Sequence, residues 1–95
     1  MKIKDYSEST IREKILNKLD PAVHKGRKHD KAYVFIDDRL VTKVKLPNVH
    51  DRVMKADKSQ YICNSLRLTP REFNDLIDCP LRGPKYYELL EQRAN

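Results

Sequence analysis

The sequence predicts an α+β fold, and three observations carry that expectation. An amphipathic stripe lies near the N-terminus, two β-rich runs flank a short polar break, and the second half is punctuated by helix start and stop signals. Taking the elements in order, Ser7 and Ser9 offer N-caps ahead of Ile11, Ile15, Leu16 and Leu19. That spacing lines up one apolar face of a helix, with Arg12, Lys14 and Lys18 outside it and Asp20-Pro21 ending it. Residues 22–30 are a basic run holding Gly26 and no usable period, which predicts a loop leading into a strand.

Residues 31–36 are β-branched and aromatic, residues 40–46 alternate, and Asp37-Asp38-Arg39 separates them, which reads as a β-hairpin. An even-length turn puts Tyr33 and Phe35 on one face with Leu40, Thr42, Val44 and Leu46. The other face then carries Ala32, Val34 and Ile36 with Val41, Lys43 and Lys45. The aromatic face is expected to meet the helices. Pro47 closes the second strand, and residues 48–58 are expected to be irregular or at most a short third strand, with His50, Arg52 and Lys55.

Ser59 can cap a helix with Ile62, Cys63 and Leu66 inside. Thr69-Pro70-Arg71-Glu72 is a capping box with proline at the first helical position, starting a helix that uses Phe73, Leu76 and Ile77. Asp78-Cys79-Pro80 stops it, and Gly83-Pro84 introduces a last amphipathic turn or two with Tyr86, Leu89 and Leu90.

A chain of 95 residues builds one core, so residues 1–95 are expected to form a single domain. With 39% apolar and 36% charged residues that core is thin and the surface heavily solvated. Cys63 and Cys79 lack any C-x-x-C or zinc-ligand spacing and read as reduced, buried thiols, so no metal or cofactor is expected. No apolar segment reaches membrane-spanning length and no signal-like region follows the first lysines, which makes a cytoplasmic protein with no membrane partner the expectation. A phosphate-loop enzyme and a Ser-His-Asp hydrolase are excluded for want of a Gly-rich loop or a glycine-flanked nucleophile.

The net charge is +6, and residues 21–60 carry +5 of it. Such a concentration favours a polyanionic partner, because every phosphate neutralised by Lys or Arg releases condensed counterions. His29 sits within this stretch among Lys25, Arg27, Lys28 and Lys31. An imidazole there can take the proton of an RNA 2′-hydroxyl or give one to the leaving oxygen, while the cations offset charge developing on phosphate. Lys43 and Lys45, two apart on a strand, share one face and extend the cationic stripe.

An amphipathic helix, a glycine-containing loop ending in His29, a hairpin running into Pro47 and a following helix together resemble the HicA family of mRNA interferase toxins. The resemblance covers about residues 9–68, with Gly26 and His29 at the positions of that family's Gly-Ser-His motif and residues 59–68 at its second helix. This chain has Gly26-Arg27-Lys28-His29 there, one residue longer and without serine. The resemblance implies a double-stranded-RNA-binding-domain-like fold, with a hairpin or three-stranded antiparallel sheet packed by helices. It also implies RNA cleavage without a metal cofactor, His29 as the catalytic residue, and a HicB-like antitoxin as partner. Residues 69–95 lie outside it as a helical C-terminal extension.

Two other functions stay open. The chain is a non-catalytic nucleic-acid-binding module if His29 is one more phosphate contact. It is a protein-interaction adaptor if Leu76, Ile77, Leu81, Tyr86, Leu89 and Leu90 exceed what the core needs. His24 and His50 are at intervals that fit no local metal motif, and Asp37 and Asp38 read as turn residues rather than catalytic carboxylates.

Overall fold

Ser7 caps the first helix as its sequence suggests, its hydroxyl accepting from the Thr10 amide at 3.1 Å. The structure, a computed structural model, describes residues 2–47, 52–78 and 80–94. Helix α1 spans Glu8–Leu19 and ends with Asp20 in the left-handed conformation. Strands β1 (Ala22–His24), β2 (Lys31–Ile36) and β3 (Arg39–Lys45) follow, then α2 (Ala56–Ser65), α3 (Pro70–Asp78) and α4 (Gly83–Ala94). Among the described residues the chain is thus an α+β fold with four helices and a three-stranded antiparallel sheet in the order β1-β2-β3.

The β2–β3 turn has two residues, Asp37 and Asp38, both at positive φ (50° and 65°), matching the twist of the paired strands. The register then breaks. Ile36 faces Arg39 and Phe35 faces Leu40, but Val34 faces Thr42 and Ala32 faces Val44. One extra residue, Val41, has been absorbed as a β-bulge, and every side chain beyond it changes face. The expected faces hold on β3 beyond the bulge, where Thr42, Val44 and Leu46 turn to the helices, and are overturned for β2 and for Leu40. Ala32, Val34, Val44 and Leu46 are buried against the helices, while Phe35 (44% exposed) and Leu40 (51%) stand on the outer face with Tyr33, Lys31, Lys43 and Lys45.

Three further expectations are corrected. Residues 22–30 are not all loop, because Ala22–His24 form the edge strand β1, exposed along its length and without a core signal to reveal it. Helix α2 begins at Ala56 rather than after Ser59, which lies inside the helix, 2% exposed. Helix α4 runs for 12 residues rather than one or two turns. The capping box forms as read: the Glu72 amide donates to Thr69 Oγ1 (3.2 Å), and the Thr69 amide to Glu72 Oε1 (2.9 Å).

Residues 69–94 are no appendage. Phe73, Leu76, Ile77, Tyr86 and Leu90 share one hydrophobic cluster with Ile11, Ile15, Val34 and Ile62. Gly83 opens α4 where a Cβ would come within 2.1 Å of the Lys18 carbonyl, so only glycine lets α4 approach the end of α1 this closely. The N-terminal strap is tied to α3, with the Lys4 amide donating to Asn74 Oδ1 and Asn74 Nδ2 to the Lys2 carbonyl. Val53 bridges back to Ser7, so the chain after residue 51 pairs with the strap rather than with the hairpin. Cys63 is a buried free thiol whose pKa burial pushes up to about 11, consistent with an inert core residue. Cys79 and His50 lie outside the described residues.

Candidate nucleic-acid interface

The antiparallel register sets two lysines and a histidine side by side. Lys31 on the middle strand lies opposite Lys45 on β3 and opposite His24 on β1, so one row across the sheet reads His24, Lys31, Lys45. The next row on that face is Ala22, Tyr33, Lys43, and the His24 and Tyr33 rings meet edge to face at 6.5 Å. Like charges directly opposite on a sheet are destabilising, and no described acidic side chain forms an ion pair with Lys31, Lys43 or Lys45. The β1–β2 loop with Lys25, Arg27, Lys28 and His29 leaves and re-enters the sheet at this same end. All six cations expected to contact nucleic acid are therefore carried by two strands and the loop between β1 and β2, with Lys43 one row further along.

Two devices hold the loop. Arg12 of α1, half-buried, donates to Asp30 Oδ2 at 2.6 Å and to the Pro47 carbonyl at 3.1 Å, tying the end of the loop to the end of β3. The Arg12 hydrogen bond holds the Asp30 carboxyl below the usual aspartate range, against a smaller opposing effect of desolvation. The Leu46 amide donates to the Asp30 carbonyl at 2.8 Å. At the start of the loop, a Cβ on Gly26 would lie 2.6 Å from the His29 carbonyl oxygen. The loop folds tightly enough over itself that residue 26 must lack a side chain, and this glycine sets the backbone that presents His29.

His29 is exposed and lines a cleft of about 330 Å³ with Glu8, Lys45, Leu46, Pro47, Met54, Lys58, Tyr61 and Ile62. The cleft is built where the starts of α1 and α2 meet the end of β3. Glu8, Lys58 and Tyr61 carry no local motif, and nothing in their sequence surroundings marks them as site residues. Among the described residues no group of three His, Cys, Asp or Glu side chains is placed to hold a metal ion. No described helix is long and apolar enough to cross a membrane.

The C-terminal apolar residues that suggested an adaptor surface are mostly in the core. Leu76, Ile77, Leu81, Tyr86 and Leu90 are all at most 8% exposed, and Leu89 is partly buried. Among the described residues the exposed large apolar side chains are instead Val23, Phe35, Leu40, Val53 and Tyr61. The chain matches no family model, no curated protein and no solved structure.

Proposed function

We propose that this protein binds RNA at the end of its sheet carrying His24, Lys31 and Lys45, and acts there as a HicA-like ribonuclease with His29 as general acid or base. The observation that carries the binding is the cross-strand cation row. Among the described residues no acid pairs with its lysines, an arrangement of opposed charge that a phosphate backbone relieves. Recognition by lysines on a sheet end and loop follows shape, phosphates and 2′-hydroxyls. Cleavage needs no metal in this reading. Lys31 and Lys45 stabilise the phosphate while His29, at the mouth of the cleft, moves the proton. The order helix, three antiparallel strands, helix accords with the double-stranded-RNA-binding-domain-like fold that the resemblance implies, and a HicB-like antitoxin would cover this same end.

A second reading is a binding module without catalysis. One observation favours it: no described side chain hydrogen-bonds the His29 ring, whereas a general base is ordinarily oriented by a partner. The two readings separate in one experiment. RNA cleavage in chelator and RNA binding across a salt series are measured for wild type, His29→Ala and Lys31→Ala/Lys45→Ala. The ribonuclease reading expects cleavage to vanish in His29→Ala while binding persists, and the double variant to lose both. Intact RNA with salt-sensitive binding by wild type leaves the module. Absence of binding rejects the RNA reading altogether.

A further inference from the structure

The outer face of the sheet holds more than the cation row. Beyond Lys31, the middle strand turns Tyr33 and then Phe35 to the same side, and Leu40 of β3 lies opposite Phe35. Tyr33 is half-buried, whereas Phe35 and Leu40 are exposed, although Ala32, Val34 and Val44 on the other face are buried. The bulge at Val41 produces this arrangement. Without it Leu40 would share the face of Val44; with it, Leu40 stands beside Phe35 on the side of Lys43 and Lys45. An apolar pair is thus set at one end of a face whose other end is cationic. None of the three strands contains an aspartate or a glutamate, so the face carries no negative side chain of its own.

The chemistry of the face selects among occupants. A second copy laid against it would bring Lys31, Lys43 and Lys45 up to their own equivalents, which is repulsive. A duplex offers phosphates to the lysines but keeps its bases paired and stacked inside, out of reach of the rings. A single strand offers both parts together, phosphates for the lysines and unstacked bases for the rings, and aromatic stacking is the general means by which proteins hold such bases. The spacing agrees. Residues two apart on a strand are separated by about 7 Å, against about 3.4 Å between neighbours in a stacked helix, so Tyr33 and Phe35 match an extended strand. The His24 ring, edge to face on Tyr33 at 6.5 Å, steadies the first of the two rings.

We propose that the outer face of the sheet is a track for single-stranded RNA, with Tyr33 and Phe35 stacking on successive bases, Leu40 flanking the second, and Lys31, Lys43 and Lys45 gripping the phosphates. The inference rests on the RNA reading above and adds to it the strandedness of the substrate. The strand runs from Phe35 at the turn end toward Lys31 and Lys45, the end of the sheet where the loop carrying His29 re-enters. Its contacts tolerate any sequence, since every base has a π-face.

The test uses a short fluorescein-labelled RNA that cannot pair with itself, its 2′-hydroxyls intact, as a single strand and annealed to its complement. The protein is His29→Ala in chelator, so that the strand survives, with wild type alongside. Anisotropy is expected to show the single strand bound roughly tenfold more tightly than the duplex. Adding Phe35→Ala, at an exposed position outside the core, weakens the single strand roughly tenfold and leaves the duplex within about twofold. The chain has no tryptophan, so Phe35→Trp gives a direct readout. The introduced indole is quenched when the single strand binds, at an affinity within about threefold of the parent, and is not quenched by the duplex. Equal affinity for single strand and duplex, or an indole that the bound single strand fails to quench, overturns the track and leaves the phosphate grip standing. A dimer that Phe35→Ala converts to monomer in sedimentation assigns the face to a second copy and overturns the track as well. No binding of either RNA by wild type or by His29→Ala overturns the RNA reading and the track with it.

Discussion

The two ends of the sheet both carry clustered cations, and they treat them in opposite ways. At the turn end, Arg39, Arg67 and Arg93 line a depression with Leu40 and Val41. Arg93 is committed there, its guanidinium donating to both oxygens of Glu72 at 2.8 and 2.6 Å and to the Arg67 carbonyl at 2.7 Å. That pairing draws the Glu72 carboxyl down to about 2, chiefly through the Arg93 hydrogen bond, and ties the end of α4 to the start of α3. At the loop end, Lys31 and Lys45 oppose each other with no acidic partner among the described residues, and the buried Glu8 carboxylate accepts from Arg52. A cation matched to an acid holds the fold; cations set against one another cost a little stability, which salt or a bound polyanion relieves.

The sharpest break of that contrast is Lys31→Ala/Lys45→Ala, set against Arg93→Ala. At fixed moderate salt the lysine pair is expected to weaken RNA binding about 10- to 100-fold, and to reduce the slope of log affinity against log salt by about 1.5. Arg93→Ala should leave both quantities unchanged. Equal losses in the two variants would dissolve the distinction between the ends.

Next in size is Gly26→Ala, which places a Cβ against the His29 carbonyl. Denaturant unfolding is expected to show a loss of about 1–3 kcal/mol, and any activity that depends on His29 falls with it. An unchanged midpoint would mean that the loop has room the close approach denies.

Arg93→Ala itself is expected to cost about 1 kcal/mol at neutral pH, the scale of a solvent-screened pair. Because the folded Glu72 carboxyl titrates near 2 against an ordinary 4.5, this contribution is complete above pH 4.5 and is lost as pH falls through 2. Thermal midpoints of wild type and variant should therefore draw together on acidification below pH 4.5. A gap that stays constant would place the loss in packing instead. The smallest effect is that of Phe35→Ser, on the outer face beyond the bulge. Its unfolding free energy should stay within about 0.5 kcal/mol of wild type. A loss of core-residue size would return Phe35 to the buried face and remove the bulge from the fold.

Much of the fold was legible because its signals are local. The Ser7 cap, the Ile11/Ile15/Leu19 stripe, the Asp37-Asp38 turn and the Thr69–Glu72 capping box each act within a few residues, and each appears where its chemistry requires. The bulge was not legible. Val41 looks like any alternating strand residue, and only packing of Val34 and Val44 against the helices selects the register that buries them. The candidate site divides in the same way. His29 and its neighbouring cations stand out in the chain, whereas Glu8, Lys58 and Tyr61 come to His29 from separate elements.

By itself, then, the sequence determined the α+β class, the placement of the hairpin and most helices, and the concentration of positive charge between residues 21 and 60. These depend on backbone propensity, caps and composition, which act at short range. Tertiary structure decided which face of the hairpin is buried, that residues 69–94 complete the core, and that an inward carboxylate shares a cleft with the exposed histidine. Those outcomes depend on how separate elements exclude water together. A one-residue slip exchanges a strand's two faces while leaving its local pattern unchanged.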